Sequence, residues 1–251
     1  MTERTKIPSR YQPKGFHILY EDEYVIVGNK APGHLTVRAH WNKDDTIHSA
    51  LNAYVRKGNS RSRKVVYVVH RLDQDTSGVM VYAKTEKAQQ ILKEKWKDTK
   101  KIYFAVVQGH FEEKSGTISS YLVEDDDYMV RSSEDDTGKL ARTAYTVVKE
   151  SKSYSLLRIK LLTGRKNQIR VHCAEAGHPL VGDAKYGTPD KRHPQLALHS
   201  QSLSFAHPFT GKRVTFETPL PDHMAKLVGG YDIGPGGSGP PKPKKPPEAP
   251  F

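Results

Sequence analysis

The chain has 251 residues, of which 36% are hydrophobic, and its mean hydropathy is −0.68. This is enough to bury one sizeable core, and no stretch approaches the roughly 20 consecutive apolar residues of a membrane-spanning helix. Its 40 lysines and arginines against 28 acidic residues favour a polyanionic partner, nucleic acid first, although a basic protein without such a partner would have the same charge. The single cysteine, Cys173, excludes an internal disulfide; with no apolar secretory segment near the start, it favours a reducing cytoplasm.

The first part of the chain predicts strands around one helix. The stretch FHILYEDEYVIVGNKAPG predicts two short strands separated by an acidic turn. The stretch DDTIHSALNAYV predicts a helix capped by Asp45 or Thr46, with Ile47, Leu51 and Val55 on one apolar face. After a basic loop, VVYVVHRL predicts a buried strand, and GVMVYAK predicts the strand that follows it.

The second part predicts two further helices among many strands. TEKAQQILKEKWKD predicts a helix capped by Thr85, with Glu86 in its first turn. KIYFAVVQG predicts a strand, and residues 116–151 predict several short strands broken by acidic or glycine turns, continued by YSLLRIKLLTG. KNQIRVHCAEAG predicts a helix that ends at Gly177, with Pro179 just beyond it.

The composition divides the chain into one folded region and two polar tails. Residues 1–15 are basic and contain two prolines, so we expect a flexible arm. Residues 232–251 are rich in proline, glycine and lysine and cannot build a core, so we expect a disordered tail. Residues 16–231 are expected to form an α+β domain, and its many short strands and tight turns favour a mostly antiparallel sheet.

Three segments carry polar residues that a strand does not require. His70 to Asp73 follow an apolar run, Tyr103 lies within KIYFAVV, and Arg165 follows a flexible Thr-Gly turn before a helix. A helix start and a nearby guanidinium both favour an anionic group. Each residue also has a structural interpretation: Asp73 could cap a turn, Tyr103 could be core, and Arg165 could pair with a surface acid.

In this order the three segments resemble the RluA family of pseudouridine synthases. The most specific motif is HRLD followed by a T-S-G turn, here residues 70–73 and 76–78. The stretches ILYEDEYVIVGNKAPG, KIYFAVVQG, TGRKNQIRVHCAEAGHPLVGDAKYG and LALHSQSLSFAHPFTGKRVTFETPLP are similar as well, so the resemblance covers about Phe16 to Pro221. It implies a catalytic domain over residues 16–231, with a bent, mostly antiparallel mixed sheet, flanking helices and a central basic cleft.

The resemblance implies isomerisation of uridine in RNA to pseudouridine, without cofactor or metal. The N1–C1′ bond breaks, the uracil turns in its pocket, and C5 bonds to C1′. Asp73 matches the essential aspartate; attack on the sugar, attack on the base and removal of the C2′ proton all remain open for it. The resemblance implies that Tyr103 stacks on the base, with assistance in removing the C5 proton left open as a second role, and that Ile169 packs beneath the base. It also implies that Arg165 pairs with Asp73 and keeps it ionised, and that Arg71 fills the space left by the flipped nucleotide.

Two departures from the family pattern and one absence qualify the resemblance. Lys166-Asn167 stands where many members have Thr-His, which leaves any contact of that histidine in doubt, and Ala31 stands where proline is common. Many relatives carry an S4 RNA-binding domain before the catalytic part, whereas only about 15 residues precede the similar region here. We therefore expect RNA recruitment to depend on the charge of the catalytic domain, with the tails as a possible addition.

Two other functions are compatible with parts of this pattern. A non-catalytic RNA-binding protein would not require Asp73, and a glycosidic hydrolase would normally require a second carboxylate, which no comparable motif supplies. The histidines lack metal-site spacing such as HExxH, so we expect no metal. Ribosomal RNA, transfer RNA or both are possible substrates. We expect a monomer in the cytoplasm, with RNA as its partner and no membrane association.

Overall fold

Within residues 12–38, 45–59, 61–133, 135 and 137–231, which the computed structural model describes, eleven strands form one sheet. The strands are β1 Phe16–Glu21, β2 Val25–Lys30, β3 Tyr67–Val68, β4 Ser77–Ala83, β5 Lys100–Gln108, β6 Ser115–Glu124, β7 Val130–Ser133, β8 Lys139–Glu150, β9 Tyr154–Leu161, β10 Leu198–Ala206 and β11 Arg213–Glu217. The α-helices are α1 Ile47–Arg56, α2 Glu86–Glu94, α3 Gln168–Glu175 and α4 Asp222–Leu227.

The strand order is β1-β2-β4-β10-β5-β9-β8-β6-β7, with β11 paired to β10 and β3 paired to β4. Among these strands β4 and β10 pair in parallel, and the other pairs are antiparallel. The predicted α+β class with a mostly antiparallel mixed sheet is therefore confirmed. The parallel pair lies near the middle of the sheet, next to the segment that carries Asp73.

The helices pack on both faces of the sheet. Leu51 of α1 belongs to a buried cluster with Met80 of β4, whereas Leu92 of α2 belongs to a cluster with Val79 and Val81. Neighbouring residues of a strand point to opposite faces, so α1 and α2 cover opposite sides of β4. Helix α3 contributes to the same cluster as α1 through Ile169.

The predicted starts of α1 and α2 agree with the structure. The Thr46 side chain accepts a hydrogen bond from the backbone N–H of Ser49, and the Thr85 side chain accepts one from Ala88, both over 3.1 Å. Thr46, not Asp45, is therefore the cap of α1. The second predicted helix is shorter than expected, because α2 ends at Glu94 and a separate 3-10 turn, Trp96–Asp98, follows it.

The buried strand predicted for VVYVVHRL is wrong over most of its length. Only Tyr67–Val68 pair with β4, and the chain from residue 69 to residue 76 is a loop. Buried side chains replace the strand pairing there: the Thr36 hydroxyl donates to the carbonyl of Leu72 over 2.7 Å and accepts from its N–H over 3.2 Å. The apolar run therefore keeps Val66, Val69 and Leu72 buried, although most of it does not join the sheet.

The strands predicted within residues 116–151 are longer than expected. β6 has 10 residues and β8 has 12, and the two pair from Ser115 to Leu122. Gly116 does not break β6, because the Tyr145 ring lies across it, 3.1 Å from where a Cβ atom would be. A glycine covered by a neighbouring aromatic ring is compatible with a continuous strand.

The predicted tail at residues 232–251, and residues 1–11 of the predicted arm, lie outside the described residues. None of the helices in the described part of the chain is long and apolar enough to cross a membrane.

Candidate active site

Asp73 lies on the loop between β3 and β4 and lines a cleft of about 340 Å³. Other walls of the cleft come from β5 and from the segment around the start of α3. The backbone N–H of Thr76 donates to the carbonyl of Asp73 over 3.2 Å, so the chain turns directly behind the carboxylate. Asp73 therefore lies on a turn of the loop that faces the cleft.

A buried lysine of β2, Lys30, holds this loop in place through hydrogen bonds to its backbone. The side chain of Lys30, at the end of β2, is fully buried, and its ammonium donates to the carbonyls of Ala31, Gln74 and Thr76 over 2.7–2.9 Å. Burial lowers the pKa of Lys30 to about 8, although the nearby acidic residues oppose this shift. All three ammonium donors have an acceptor, and two of these, the carbonyls of Gln74 and Thr76, join β2 to the Asp73 loop.

The T-S-G part of the motif fixes the strand that leaves the loop. Gly78 has a φ of +119°, and a Cβ atom there would lie 2.2 Å from the carbonyl oxygen of Ser200 in β10, so this approach requires glycine. The hydroxyls of Ser77 and Thr218 hydrogen-bond to the two ring nitrogens of buried His199, each over 2.8 Å. The histidine thus joins β4 to β10 where they pair in parallel.

The guanidinium next to Asp73 belongs to Arg170, in the first turn of α3. Its Nη1 lies 3.7 Å from Oδ2 of Asp73. Its Nε and Nη2 donate to the two carboxylate oxygens of Asp183 over 2.8 and 2.7 Å. Asp183 is fully buried and also accepts from the backbone N–H groups of Lys185 and Tyr186. The bidentate pair therefore sets the orientation in which Arg170 meets Asp73.

The predicted pair between Arg165 and Asp73 is wrong. Arg165 lines the same cleft, but its Nε donates to the carbonyl of Leu140 in β8 over 3.0 Å, and its backbone N–H donates to the Gln168 side chain. Arg165 lies in the turn before α3, which begins at Gln168, two residues after the start of the predicted helix at Lys166. The arginine that faces Asp73 is Arg170, which the sequence interpretation did not single out.

Burial raises the pKa of Asp73 above its ordinary value of 3.8, and the positive charges of Arg170 and Arg71 oppose this rise without cancelling it. The arginine partner lowers the carboxyl pKa as expected, but the loss of hydration is the larger effect. The Asp73 side chain remains 31% exposed, so it is open to a molecule in the cleft.

Tyr103 and Ile169 line the cleft with buried side chains, 7% and 5% exposed. Burial raises the pKa of Tyr103 to about 12, against a hydrogen bond with Ser200 that lowers it. The phenol is therefore neutral near pH 7. An aromatic ring and an aliphatic side chain in one cleft suit a flat, uncharged ring such as a nucleobase.

The departure at Lys166-Asn167 has a structural explanation. Asn167 has a φ of +52° just before α3, and its side-chain amide donates to the hydroxyl of Tyr186 over 2.9 Å. Lys166 pairs with Glu124 and lies 5.4 Å from the ring centre of Tyr128. These contacts hold the start of α3 to β6 and to the segment after Asp183, so neither side chain is an isolated surface residue.

The cleft is strongly basic, as expected. Among its described lining residues the one carboxylate is Asp73, against five cations: Arg71, Lys101, Arg165, Lys166 and Arg170. A single carboxylate disfavours the two-acid mechanism of most glycosidic hydrolases. Over the described ranges, no three histidine, cysteine, aspartate or glutamate side chains lie where they could share a metal ion.

The sequence interpretation did not identify three charged residues of the site. Lys30, Arg170 and Asp183 each follow or interrupt an apolar run, in VIVGNK, QIRVHC and PLVGD. A charged side chain is rarely buried unless it is paired. A charge within a run that otherwise predicts core was therefore the available signal for all three.

Comparisons with known sequences identify the family of this chain. The family model for RNA pseudouridylate synthases matches residues 24–175. The uncharacterized RNA pseudouridine synthase YjbO of Bacillus subtilis is 35% identical over 221 residues, which cover 87% of this chain and 77% of that protein. The ribosomal large subunit pseudouridine synthase D of Nitrosomonas europaea is 36% identical over 222 residues, which cover 84% of this chain and 64% of that protein.

Solved structures show the same fold. Human RNA pseudouridylate synthase domain containing 1 superposes with a TM-score of 0.69 at 26% identity, covering 86% of this chain and 89% of that one. Human RNA pseudouridylate synthase domain containing 4 gives a TM-score of 0.68 at 23% identity, covering 84% of this chain and 91% of that one. With its fold, motif and sequence relatives in agreement, the chain belongs to the RluA-type RNA pseudouridine synthases, a family of isomerases that act on RNA.

Proposed function

We propose that Asp73 is the reactive carboxylate of this isomerase and that Arg170 is its positioning partner. The observation that carries the proposal is the single carboxylate in a basic cleft, 3.7 Å from a guanidinium that Asp183 already holds in place. Because Asp183 binds two of the guanidinium nitrogens, Arg170 would remain fixed when Asp73 moves or reacts.

The cleft residues would act on a flipped uridine. A base stacked in RNA is out of reach, so extrusion costs about a few kcal/mol unless the base is already unstacked. Arg71 is exposed at the cleft, where a guanidinium would offset part of this cost by stacking and by contacting phosphate. Tyr103 would stack on the extruded base, at a gain of roughly 1–3 kcal/mol, and Ile169 would pack beneath it.

The uracil must stay in the cleft between cleavage of the N1–C1′ bond and formation of the C5–C1′ bond. Asp73 would act as the carboxylate, on the sugar or the base or on the C2′ proton, while the N1–C1′ bond breaks. After the uracil turns, C5 bonds to C1′, the C5 proton leaves to solvent, and N1 takes up a proton from solvent, so that the overall change is an isomerisation. Tyr103 has a raised pKa, so it would serve as a neutral platform more readily than as a base for that proton.

Ribosomal and transfer RNA are both proposed substrate classes. One relative is named for the large ribosomal subunit, which favours ribosomal RNA for this chain. A monomeric state and a cytoplasmic location stay predictions.

Tritium release tests the proposed reaction and shows whether ribosomal RNA or transfer RNA is the substrate. Unmodified transcripts of large-subunit ribosomal RNA and of transfer RNA, labelled at uridine C5, are incubated separately with the protein. We expect release from the ribosomal transcript. Release from the transfer RNA transcript alone would change the assigned RNA class, and release from neither transcript, together with salt-sensitive binding, would favour the non-catalytic RNA-binding function.

A further inference from the structure

Lys101 is a cation of the cleft that does not take part in the Asp73–Arg170 pair. Lys101 lines the cleft and precedes Tyr103 by two residues in β5. Residues two apart in a strand point to the same face, about 7 Å from one another. Lys101 therefore lies beside the ring that would hold the flipped base, on the same side of the sheet.

Lys101 rests on an aromatic stack. Its ammonium lies 5.7 Å from the ring centre of Trp96, in the 3-10 turn before β5. The ring of Trp96 in turn packs on His70, with 4.6 Å between ring centres. The Nε2 atom of His70 accepts a hydrogen bond from the backbone N–H of Val81, over 3.2 Å. This stack connects the first residue of the HRLD motif to Lys101.

The stack gives Lys101 a support but no counter-charge. Burial lowers the pKa of His70 to about 3, and the charge of Lys101 adds to that effect, so the imidazole is neutral and does not repel the ammonium. Arg170 is paired to Asp183 and Lys166 to Glu124. Within the described ranges no carboxylate lies within ion-pair distance of Lys101. A half-buried cation without a carboxylate has unused capacity for an anion.

We propose that Lys101, supported by Trp96, binds a backbone phosphate of the nucleotide next to the flipped uridine. The inference rests on the proposed function, because it takes Tyr103 as the platform for the target base. A separation of about 7 Å along β5 suits a base and a neighbouring phosphate joined through one ribose. Lys101 would thus set which way the RNA strand runs across the cleft, while Asp73 and Arg170 act on the sugar and base.

The test compares Lys101→Met with Lys100→Met. Lys100 is the exposed neighbour in β5 and does not line the cleft, so it controls for the loss of one positive charge. Binding of each variant to the C5-tritiated large-subunit ribosomal RNA transcript is measured between 50 and 200 mM salt, and tritium release gives kcat and KM.

We expect Lys101→Met to raise KM about 10-fold with kcat within about threefold. The slope of log affinity against log salt should fall by about 0.7, the value for one phosphate contact on a single strand. Lys101→Arg should restore the slope, and Lys100→Met should change it less than Lys101→Met. An unchanged slope in Lys101→Met, or a loss of kcat at unchanged KM, would overturn the phosphate assignment.

The two proposals fail in different ways. If the natural protein binds this RNA but releases no tritium, the proposed reaction fails on this transcript, and the salt slopes still decide the role of Lys101. If tritium is released and the slopes of Lys101→Met and Lys100→Met are equal, the reaction stands and the phosphate site does not. Lys101→Gln repeats the comparison in case the apolar variant unfolds, which a thermal melt detects.

Discussion

Arg170 gives two guanidinium nitrogens to Asp183, at 2.7 and 2.8 Å, and leaves the third 3.7 Å from the carboxylate of Asp73. The tighter contact is with the fully buried acid, and the looser one is with the acid in the cleft. The arginine is therefore oriented before substrate binds, and Asp73 is free to exchange its contact for one with a nucleotide.

Arg170→Lys should reduce the rate of pseudouridine formation at least about 100-fold. A lysine cannot make the bidentate contact with Asp183 and cannot also reach Asp73 from that position. Affinity for RNA should change only a few-fold, because the guanidinium is mostly engaged with the two acids. Single-turnover rates on a labelled ribosomal RNA transcript measure the effect.

Arg165→Lys is the matched control for that substitution. Arg165 lines the same cleft but bonds to the carbonyl of Leu140, so the single-turnover rate should fall less than 10-fold. If Arg165→Lys lowered the rate more than Arg170→Lys, the originally expected pair with Asp73 would form in the RNA complex.

The rate should fall with decreasing pH at a midpoint above 3.8, the ordinary pKa of aspartate. Burial raises the pKa of Asp73 in the folded protein, and the carboxylate is the reactive form, so activity is lost as pH falls through the raised value. The measurement is the single-turnover rate from pH 4 to pH 8, with RNA binding followed at each pH. A midpoint at or below 3.8 would contradict the direction of the shift.

The raised pKa of Asp73 also affects the stability of the folded protein. Ionisation of Asp73 is needed for activity, but it destabilises the fold. Because the folded-state pKa of Asp73 is raised, ionisation of Asp73 costs stability above 3.8, and the cost is complete above the folded-state pKa. Asp73→Asn should therefore melt at a higher temperature than the natural protein at pH 7. The difference should shrink as pH falls towards 4, and a variant that melted lower at pH 7 would indicate that the pair with Arg170 outweighs burial.

Lys30→Met should destabilise the protein by about 3 kcal/mol, because three carbonyls, including that of buried Thr76, lose their donor. For a chain of this size that corresponds to a fall of roughly 6–12 °C in melting temperature. Lys100→Met, at an exposed position of β5, should change the melting temperature little. Equal melting temperatures for the two variants would mean that water replaces the lysine in holding the Asp73 loop.

Gly78→Ala should cost more stability than Gly177→Ala. Both glycines have positive φ, but a Cβ atom at Gly78 would lie 2.2 Å from the Ser200 carbonyl, whereas nothing lies within 4 Å at Gly177. We expect about 1 kcal/mol at Gly177 from backbone strain alone, and about 3 kcal/mol or more at Gly78, where β4 and β10 must separate. Chemical denaturation of both variants measures the difference.

Much of the fold was predictable because the strands and helices have regular apolar patterns. The face made by Ile47, Leu51 and Val55 predicted α1 with its start, and the run before Asp22 predicted β1. The loop at residues 69–76 was not predictable in this way, since it contains Val69 and Leu72, which are as apolar as the residues of a strand. What keeps it out of the sheet is the distant hydroxyl of Thr36 and the ammonium of Lys30.

The candidate site was predictable as a set of segments but not as a set of contacts. The HRLD motif and the strand of Tyr103 indicated residues that do share one cleft. Which arginine meets Asp73 depends on contacts that the sequence does not show: Arg165, in the turn before α3, bonds to the carbonyl of Leu140, whereas Arg170, within α3, faces Asp73. Asp183 lies 110 positions from Asp73 in the sequence, and only the packing of α3 brings the two acids to one guanidinium.

The role of Asp73 as the reactive carboxylate is tested most directly by comparing Asp73→Asn with Asp75→Asn on the same C5-tritiated RNA. Asp75 is an exposed acid on the same loop and does not line the cleft, so its loss controls for charge and for loop structure. We expect tritium release by the natural protein and by Asp75→Asn, and none by Asp73→Asn, which should still bind the RNA. Release by Asp73→Asn at the natural rate would show that another group performs the chemistry.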